Sequence, residues 1–276
     1  MKFILLGNGT RKGVLETAAV LRPELERIGQ IAAADFYGKE NVSQTEADLA
    51  IVFGGDGSIL RAVAQLGQNQ IPVLAVHLGT LSFLSTIQVD ELISFLKDLS
   101  CRSASGRTEL PAVEHLLLAA ELAGVTPCRL TYLVVNEIYL QSNSSSRLTA
   151  IDLFIDGERI TTYRCDGLIL STPVGSTGHN LSAGGPILRK DIDAVVISPV
   201  SPHTLSNRPL VESPDRTFEL KTHQSAVLII DGVEIAEVKP EDTVRITRAA
   251  QTFKLLDVPG YSYYRTLRNK LNWNGG

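Results

Sequence analysis

The segment Gly54-Gly55-Asp56-Gly57-Ser58 has the residue types and spacing best suited to chemistry. It follows an apolar run, residues 49–53, and precedes residues with helical spacing, so three glycines and one carboxylate lie where a strand gives way to a helix. Backbone N–H groups at a helix start favour a phosphate, and glycine lets the backbone approach it closely. A phosphate would repel Asp56 alone, so this carboxylate suggests ordering of a metal ion or acceptance of a hydroxyl proton. The alternative is a tight turn in which Asp56 caps the helix.

A second segment, residues 171–186, is rich in glycine and hydroxyl side chains. Such residues fill a core poorly, but they offer hydrogen bonds and close backbone approach to a polar ligand. We interpret the segment as a binding surface, with an irregular connecting loop as the alternative. An earlier loop, residues 7–13, misses the dinucleotide-binding glycine spacing by one residue. It is typical of a plain turn that could still line a site.

The elements that must position these residues follow an α/β pattern in the first part of the chain. Apolar runs predict strands at 2–6, 31–36, 49–53 and 73–77, and helical spacing predicts helices at 13–28, 58–65 and 90–99. This alternation predicts a doubly wound parallel sheet. Pro23 leaves open whether the first helix is continuous or forms two pieces.

The pattern changes after about residue 99, where short β-rich runs separated by turn signals replace the helices. These runs cover residues 116–120, 130–140, 148–155, 168–171 and 227–230. Asp156-Gly157 and Asp231-Gly232 lie between alternating runs and predict hairpin turns. The second part is therefore predicted to be mostly β, and residues 262–271 could form a final helix that returns to the first domain.

Composition excludes several classes of protein. The 276 residues are 44% hydrophobic and 20% charged, as in an ordinary globular protein. The net charge is −4 and the basic residues are scattered, so we expect no nucleic-acid partner. No apolar run approaches a membrane span, so we expect no membrane association and a cytoplasmic location. The three cysteines are far apart, which predicts reduced structural thiols and no metal-ligand set.

Four separated motifs together resemble the NAD kinase family in kind, order and spacing: Gly54–Ser58, Asn136-Glu137, Asp166-Gly167 and Ser171–Pro186. Weaker matches to the family pattern lie at residues 78–84 and 201–209. The resemblance implies a Rossmann-like α/β N-terminal domain (1–99, with 257–276 packing back on it) and an all-β sandwich-like, NAD-binding C-terminal domain (100–256). It also implies phosphoryl transfer from ATP or polyphosphate to the 2′-hydroxyl of the adenosine ribose of NAD. A divalent cation, expected to be Mg²⁺, and a homodimer or homotetramer are further implications.

The resemblance also implies roles for individual residues. Asp56 is similar to the carboxylate at the reaction centre, and no metal ligand is assigned. The residues that resemble the binding site of the nucleotide phosphates are Gly54, Gly55, Gly57, Ser58 and Arg61. Asn136 and Glu137 resemble the pair that holds the acceptor dinucleotide, and Asp166 resembles the carboxylate that grips its nicotinamide end. Thr177 and Ser182 resemble contacts to the adenine side and the reactive ribose.

The chain departs from the family pattern at a few of these positions. Gly178-His179 stands where the family usually has Ala-Tyr, so adenine stacking could survive on His179. His77 replaces the usual Asn, and Ser82 replaces the usual Gly. Simpler explanations also remain at this point, since Asn136 and Glu137 could be exposed strand residues and Asp166 could be a turn residue.

Two competing hypotheses remain. A phosphofructokinase or lipid kinase would share the Gly-Gly-Asp-Gly loop, but the segment 171–186 favours NAD kinase and we find no sugar-phosphate motif. A non-catalytic dinucleotide sensor would keep the acceptor pocket, but retention of Asp56 speaks against it. A sensor would bind NAD and form no NADP.

Overall fold

The structure is a computed structural model that describes the chain except for residues 80, 81, 85, 105–109, 124–130, 144–148, 205 and 274–276. Side chains of residues 102–104 are also outside the described set. The chain divides into two compact units: Met1–Glu114 together with Phe253–Gly276, and His115–Thr252. Among the described residues, no helix has both the length and the apolar character needed to cross a membrane.

The first unit is an α/β structure with a parallel sheet, as predicted. Its strands pair in parallel, with β1 between β2 and β3, and with β4 between β3 and β5. All five residues of β3 are buried, which places the end of this strand, and the glycine loop after it, on a rigid support. The elements in chain order are β1 (Lys2–Gly7), α1 (Val14–Ile28), β2 (Gln30–Asp35), β3 (Leu49–Phe53), α2 (Asp56–Leu66), β4 (Val73–His77), β5 (Ile87–Gln88) and α3 (Val89–Ala104).

Two helices of this unit differ from the simplest expectation. α1 is one continuous helix that contains Pro23, so the two-piece alternative is wrong. Its buried residues Val14, Ala18, Leu21 and Leu25 recur at helical spacing and pack on the sheet, which stabilises the helix despite the missing N–H of proline. α3 continues to Ala104, and the first unit accordingly extends beyond residue 99.

The second unit is a β-sandwich. One sheet is antiparallel with the order β13-β12-β11-β8-β15-β16, and a second group pairs in the order β10-β9-β14-β17, with β6 pairing with β17 and β7. The elements are β6 (Ala112–Ala123), β7 (Thr131–Val134), β8 (Glu137–Ser142), β9 (Thr149–Ile155), β10 (Glu158–Cys165), β11 (Gly167–Ser171), the single-turn α4 (His179–Ser182), β12 (Val195–Val200), β13 (Leu210–Glu212), β14 (Phe218–Thr222), β15 (Ala226–Ile230), β16 (Val233–Val238) and β17 (Thr243–Leu256).

Buried side chains from both groups of strands form one apolar core. Leu140 and Leu168 come from the first sheet, and Leu153, Phe218 and Val244 come from the second. Alternate residues of β9 are buried, as a sheet with one face against the core requires. The predicted all-β sandwich is thus confirmed.

Both predicted Asp-Gly hairpin turns are present. Asp156 and Gly157 have φ of 51° and 82°, and Asp231 and Gly232 have φ of 48° and 79°. Two successive positive φ angles match the twist of antiparallel strands, and Asp and Gly tolerate this conformation better than other residues. These turns join β9 to β10 and β15 to β16.

The run 130–140 is not the single strand that its composition suggests. It forms β7 and β8, which belong to different sheets, and the chain bends at Val135 and Asn136 between them. The first residues of two expected strands, Leu130 and Leu148, lie outside the described residues.

The last helix of the described residues is α5 (Tyr263–Leu271), which confirms the helix predicted at residues 262–271. The Ser262 side chain caps it by accepting a hydrogen bond from the Arg265 N–H. β17 begins in the second unit, and its last residues belong to the first, where Leu255 pairs in parallel with Val73 of β4.

Candidate functional site

The glycine loop of the first unit has the geometry that a phosphate-binding turn requires. Gly54 has a φ of 139°, and a Cβ at this position would lie 2.2 Å from Ser58 Oγ, so only glycine fits. Gly55 and Gly57 face open space, since an added Cβ would meet no atom within 4 Å. α2 begins at Asp56, which directs the N–H groups of its first turn toward this loop.

A cavity of about 590 Å³ lies over this loop. Its lining includes two cations, Arg11 and Lys12, from the loop after β1, which therefore does line the candidate site. The remaining lining residues are Asn8, Val14, Gly54, Gly55, Gly57, Ser58, His77, Leu78 and Gly79. Cationic side chains, a helix N-terminus and bare glycine backbone together suit an anion.

The Asp56 carboxylate is held in a defined orientation. Its two oxygens accept hydrogen bonds from the N–H groups of Phe83 (3.1 Å) and Leu84 (2.8 Å). The Tyr261 hydroxyl donates to the Phe83 carbonyl at 2.9 Å. Burial, and secondarily the Asp56 charge, raises the pKa of Tyr261. Tyr261 and Asp56 are therefore close enough to interact electrostatically.

Arg61 and His77 occupy different positions relative to the cavity. The Arg61 guanidinium packs against Gly38, where a Cβ would lie 2.7 Å from Nη2, and Arg61 is not among the lining residues given above. His77 lines the cavity, with Nδ1 3.2 Å from the Gly79 carbonyl oxygen. Within the weaker family matches, Thr80 and Leu81 of residues 78–84 and Leu205 of residues 201–209 lie outside the described residues.

Asn136 and Glu137 lie at the corner between β7 and β8 in the second unit. The Asp231 carboxylate accepts hydrogen bonds from the N–H groups of Val135 (2.9 Å), Asn136 (2.7 Å) and Glu137 (3.1 Å). On the other side, the Asn136 carbonyl accepts from the Thr172 N–H at 2.9 Å. The corner is thus held through its amides by one segment and through its carbonyls by another.

Glu137 is a buried carboxyl group with an unusual environment. Burial, and secondarily the charge of Asp231, raises its pKa from 4.5 to about 7. Its Oε2 atom is buried and has no hydrogen-bond partner among the described residues. This oxygen would lie 3.7 Å from a Cβ on Gly178, so the Asn136-Glu137 pair and the 171–186 segment meet here. Glu137 is therefore not an exposed strand residue.

Aromatic rings connect the remaining predicted residues of this unit. The His179 ring meets the Tyr139 ring edge to face, with centroids 4.7 Å apart and an interplanar angle of 82°. Burial first, then the charge of Asp166, raises the pKa of Tyr139, so Asp166 is near the same ring. Thr177 is half-buried, and Ser182 is exposed on α4, the turn that also carries His179. The structure thus brings Glu137, Asp166 and His179 together around Tyr139 and Gly178, and Thr177 and Ser182 lie on the same short segment as His179.

Three residues that support this group carry no functional signal of their own in the sequence. Asp231 belongs to an Asp-Gly turn, and Tyr139 lies within a strand-like run. Asn180 is fully buried: its Nδ2 donates to the carbonyls of Ser176 (3.1 Å) and Pro186 (3.0 Å), and its Oδ1 accepts from Ser198 Oγ at 2.7 Å. The signal in the sequence is an amide side chain within a segment of small residues, because such a group must find hydrogen-bond partners if it is buried.

Comparison with known proteins identifies both units. Residues 23–103 match the ATP-NAD kinase N-terminal domain, and residues 135–258 match the ATP-NAD kinase C-terminal domain. The NAD kinase of Rhodopirellula baltica is 41% identical over 277 aligned residues, covering 99% of this chain and 87% of the relative. The NAD kinase of Geobacter sulfurreducens is 39% identical, covering 82% of this chain and 79% of the relative.

Solved structures agree. Yeast NADH kinase in complex with NADH superposes with a TM-score of 0.83 at 26% identity, covering 100% of this chain and 89% of the other. An NAD kinase from Archaeoglobus fulgidus in complex with ATP has the same fold, with a TM-score of 0.76 at 22% identity and full coverage of both chains. The two domain matches and the full-length similarity to curated relatives show that this chain belongs to the NAD kinase family.

Proposed function

We propose that this protein transfers the terminal phosphoryl group of ATP to the 2′-hydroxyl of the adenosine ribose of NAD, giving NADP. The observation that carries the proposal is the Asp56 carboxylate, held at the start of α2 beside a cation-lined glycine cavity. Phosphoryl transfer asks mainly for alignment and charge neutralisation, and these groups supply both.

The donor phosphates fit the cavity of the first unit. Gly55 and Gly57 leave room for close approach of the phosphate oxygens, while Arg11 and Lys12 offset their charge. Ser58 adds a hydroxyl at the same surface. The assignment of Arg61 to the donor stays a prediction, since its guanidinium packs against Gly38. Polyphosphate offers the same chemistry as an alternative donor.

The acceptor dinucleotide fits the group of residues in the second unit. The buried Glu137 Oε2 has no hydrogen-bond partner within the described part of the chain, and a ribose hydroxyl is a donor that would satisfy it. His179 presents an aromatic ring braced by Tyr139, suited to stacking on adenine. Asn136, Asp166, Thr177 and Ser182 supply further polar groups at the same surface, with Asp166 assigned to the nicotinamide end.

The residues present suit a divalent cation carried in with the donor. The described residues contain no cluster of three or more His, Cys, Asp or Glu side chains that could hold a metal by themselves. Mg²⁺ is commonly held by one or two carboxylates, substrate phosphates and water, and Asp56 is the carboxylate of the glycine loop. When bound, the cation would neutralise charge on the donor phosphates.

Asp56 is assigned to the reacting hydroxyl. The two N–H groups of Phe83 and Leu84 restrict its carboxylate to one orientation and leave other lone pairs available. In this role the carboxylate accepts the hydroxyl proton as the phosphoryl group transfers. A role as metal ligand uses the same lone pairs and remains the alternative.

NADP formation from NAD, ATP and Mg²⁺ tests the proposal directly. We expect turnover by the wild type and a loss on the order of 10²- to 10⁴-fold in Asp56→Asn, with the fold preserved. Asp90→Asn is the matched control, because Asp90 is an exposed acid in the first turn of α3, as Asp56 is an acid in the first turn of α2. Full activity in Asp56→Asn would remove its assigned role. No NADP from the wild type, with either ATP or polyphosphate, would refute the proposed function and favour the sensor or another kinase.

A further inference from the structure

Asp231 occupies a position that turn chemistry alone does not explain. It is the first residue of the β15–β16 turn, at φ 48°, and Asn or Gly would serve that conformation equally well. A carboxylate in a partly buried position is costly unless several hydrogen bonds stabilise it. Here burial raises the pKa of Asp231, while the three N–H groups of residues 135–137 act to lower it.

Among the described residues, the hydrogen bonds of Asp231 go to the corner that carries Asn136 and Glu137. Its carboxylate spans three consecutive amides, of which two belong to Asn136 and Glu137. Its own N–H donates to the Glu137 carbonyl at 3.0 Å, so Asp231 makes hydrogen bonds to both the backbone N–H and the backbone carbonyl of Glu137. Because β8 starts at Glu137, these two hydrogen bonds set the direction in which the Glu137 side chain leaves the corner.

The opposite side of the corner belongs to the 171–186 segment. Thr172 Oγ1 donates to the Val135 carbonyl at 2.5 Å, and Gly175 lies so close that an added Cβ would be 2.2 Å from the Asn136 carbonyl oxygen. A shift of the corner would therefore displace Gly175 and its neighbours up to Gly178, which faces Glu137. Packing this tight transmits small displacements.

We infer that Asp231 is a positioning residue for the acceptor dinucleotide, which it serves by clamping the Val135–Glu137 backbone so that Asn136, Glu137 and the Gly175–Gly178 loop keep their relative placement. This inference rests on the proposed function, since it names what aligns the same acceptor site. Asp231 acts through other residues and need not touch the dinucleotide.

Asp231→Asn tests the inference with little change in shape. Asparagine keeps the positive φ, but its amide nitrogen cannot accept a hydrogen bond and would face one of the three N–H donors. The matched control is Asp156→Asn, because Asp156 begins the other Asp-Gly turn, has a φ of 51° and accepts a backbone hydrogen bond from Thr217 at 2.9 Å.

We expect Asp231→Asn to raise KM for NAD roughly tenfold or more, the effect of losing a hydrogen bond to a charged group. KM for ATP should stay near the wild-type value, and Asp156→Asn should change neither. The pH at which KM for NAD changes should also move downward in Asp231→Asn, because Glu137 loses an anionic neighbour. Amide hydrogen exchange at residues 135–137 should accelerate in this variant alone.

An unchanged KM for NAD in folded Asp231→Asn would overturn the inference, as would an equal rise in both KM values, which indicates general loosening. If Asp231→Asn does not fold, Asp231→Gly keeps the turn and removes only the carboxylate, and the same two outcomes apply. Absence of NADP formation by the wild type would instead refute the proposed function, so the two failures are distinguishable.

Discussion

Glu137→Gln should stabilise the protein at alkaline pH although it alters the proposed acceptor site. Glu137 is buried, and its pKa rises from 4.5 to about 7 because of burial and the charge of Asp231. Below pH 4.5 the carboxyl group is neutral in both folded and unfolded states. As the pH rises from 4.5 to 7, the unfolded chain loses this proton first, so the free energy of unfolding falls.

Above pH 7 the penalty for the buried charge is fully present. At about 1.4 kcal/mol for each pH unit, a pKa raised from 4.5 to about 7 corresponds to about 3 kcal/mol. Glutamine has a similar shape and no charge, so Glu137→Gln should raise the free energy of unfolding by up to about 3 kcal/mol at pH 8.5 and by little at pH 4.5.

Urea denaturation of both proteins at pH 4.5 and 8.5 would measure this difference. Glu234→Gln on β16 is the control, since Glu234 is exposed and the substitution should leave stability nearly unchanged at either pH. A Glu137→Gln effect equal at the two pH values would refute the reasoning, because the penalty would then not come from charge. A lower stability at pH 8.5 would show that the ionised carboxylate has partners in the folded protein.

The other predictions concern the first unit. Gly54→Ala should lower the free energy of unfolding by roughly 1–3 kcal/mol, because φ is 139° and the new Cβ would meet Ser58 Oγ. At Gly55 a new Cβ would meet no atom within 4 Å, so Gly55→Ala should leave thermal stability intact and raise KM for ATP. A KM for ATP in Gly55→Ala equal to that of the wild type would contradict the proposed role of Gly55 in phosphate binding. Tyr261→Phe removes the hydroxyl that donates to the Phe83 carbonyl and should lower kcat about 2- to 10-fold. Tyr264→Phe is the control, since its side chain is 61% exposed and kcat should not change. Equal kcat in the wild type and both variants would exclude a contribution of Tyr261 to Asp56 alignment.

Much of the fold could be predicted because local signals agree with it. The buried strands of the first unit appear as apolar runs, and the two hairpins appear as Asp-Gly between alternating residues. The glycine loop was likewise recognisable, since three glycines around one aspartate after a buried strand have few structural uses. These features depend on neighbours within a few residues.

The corner at Val135 and Asn136 could not be predicted in the same way. Both residues lie in a run with strand propensity, and the carboxylate that accepts hydrogen bonds from their N–H groups, Asp231, is 96 residues from Val135 in the sequence. The burial of Glu137 depends on the same distant contact and on Gly178. The position of Arg61 beside Gly38 also depends on how α2 packs, which periodicity does not specify.

The passage of β17 from the second unit into the first has a consequence for synthesis on the ribosome. The first unit draws residues 253–276 from the end of the chain, so its β4 lacks the neighbouring Leu255 until some 140 further residues have emerged after residue 114. At about 5–20 residues per second, that interval lasts on the order of ten seconds. During it, the start of β4 at Val73 lacks this neighbour, while β5 already pairs with the end of the strand at Val76 and His77.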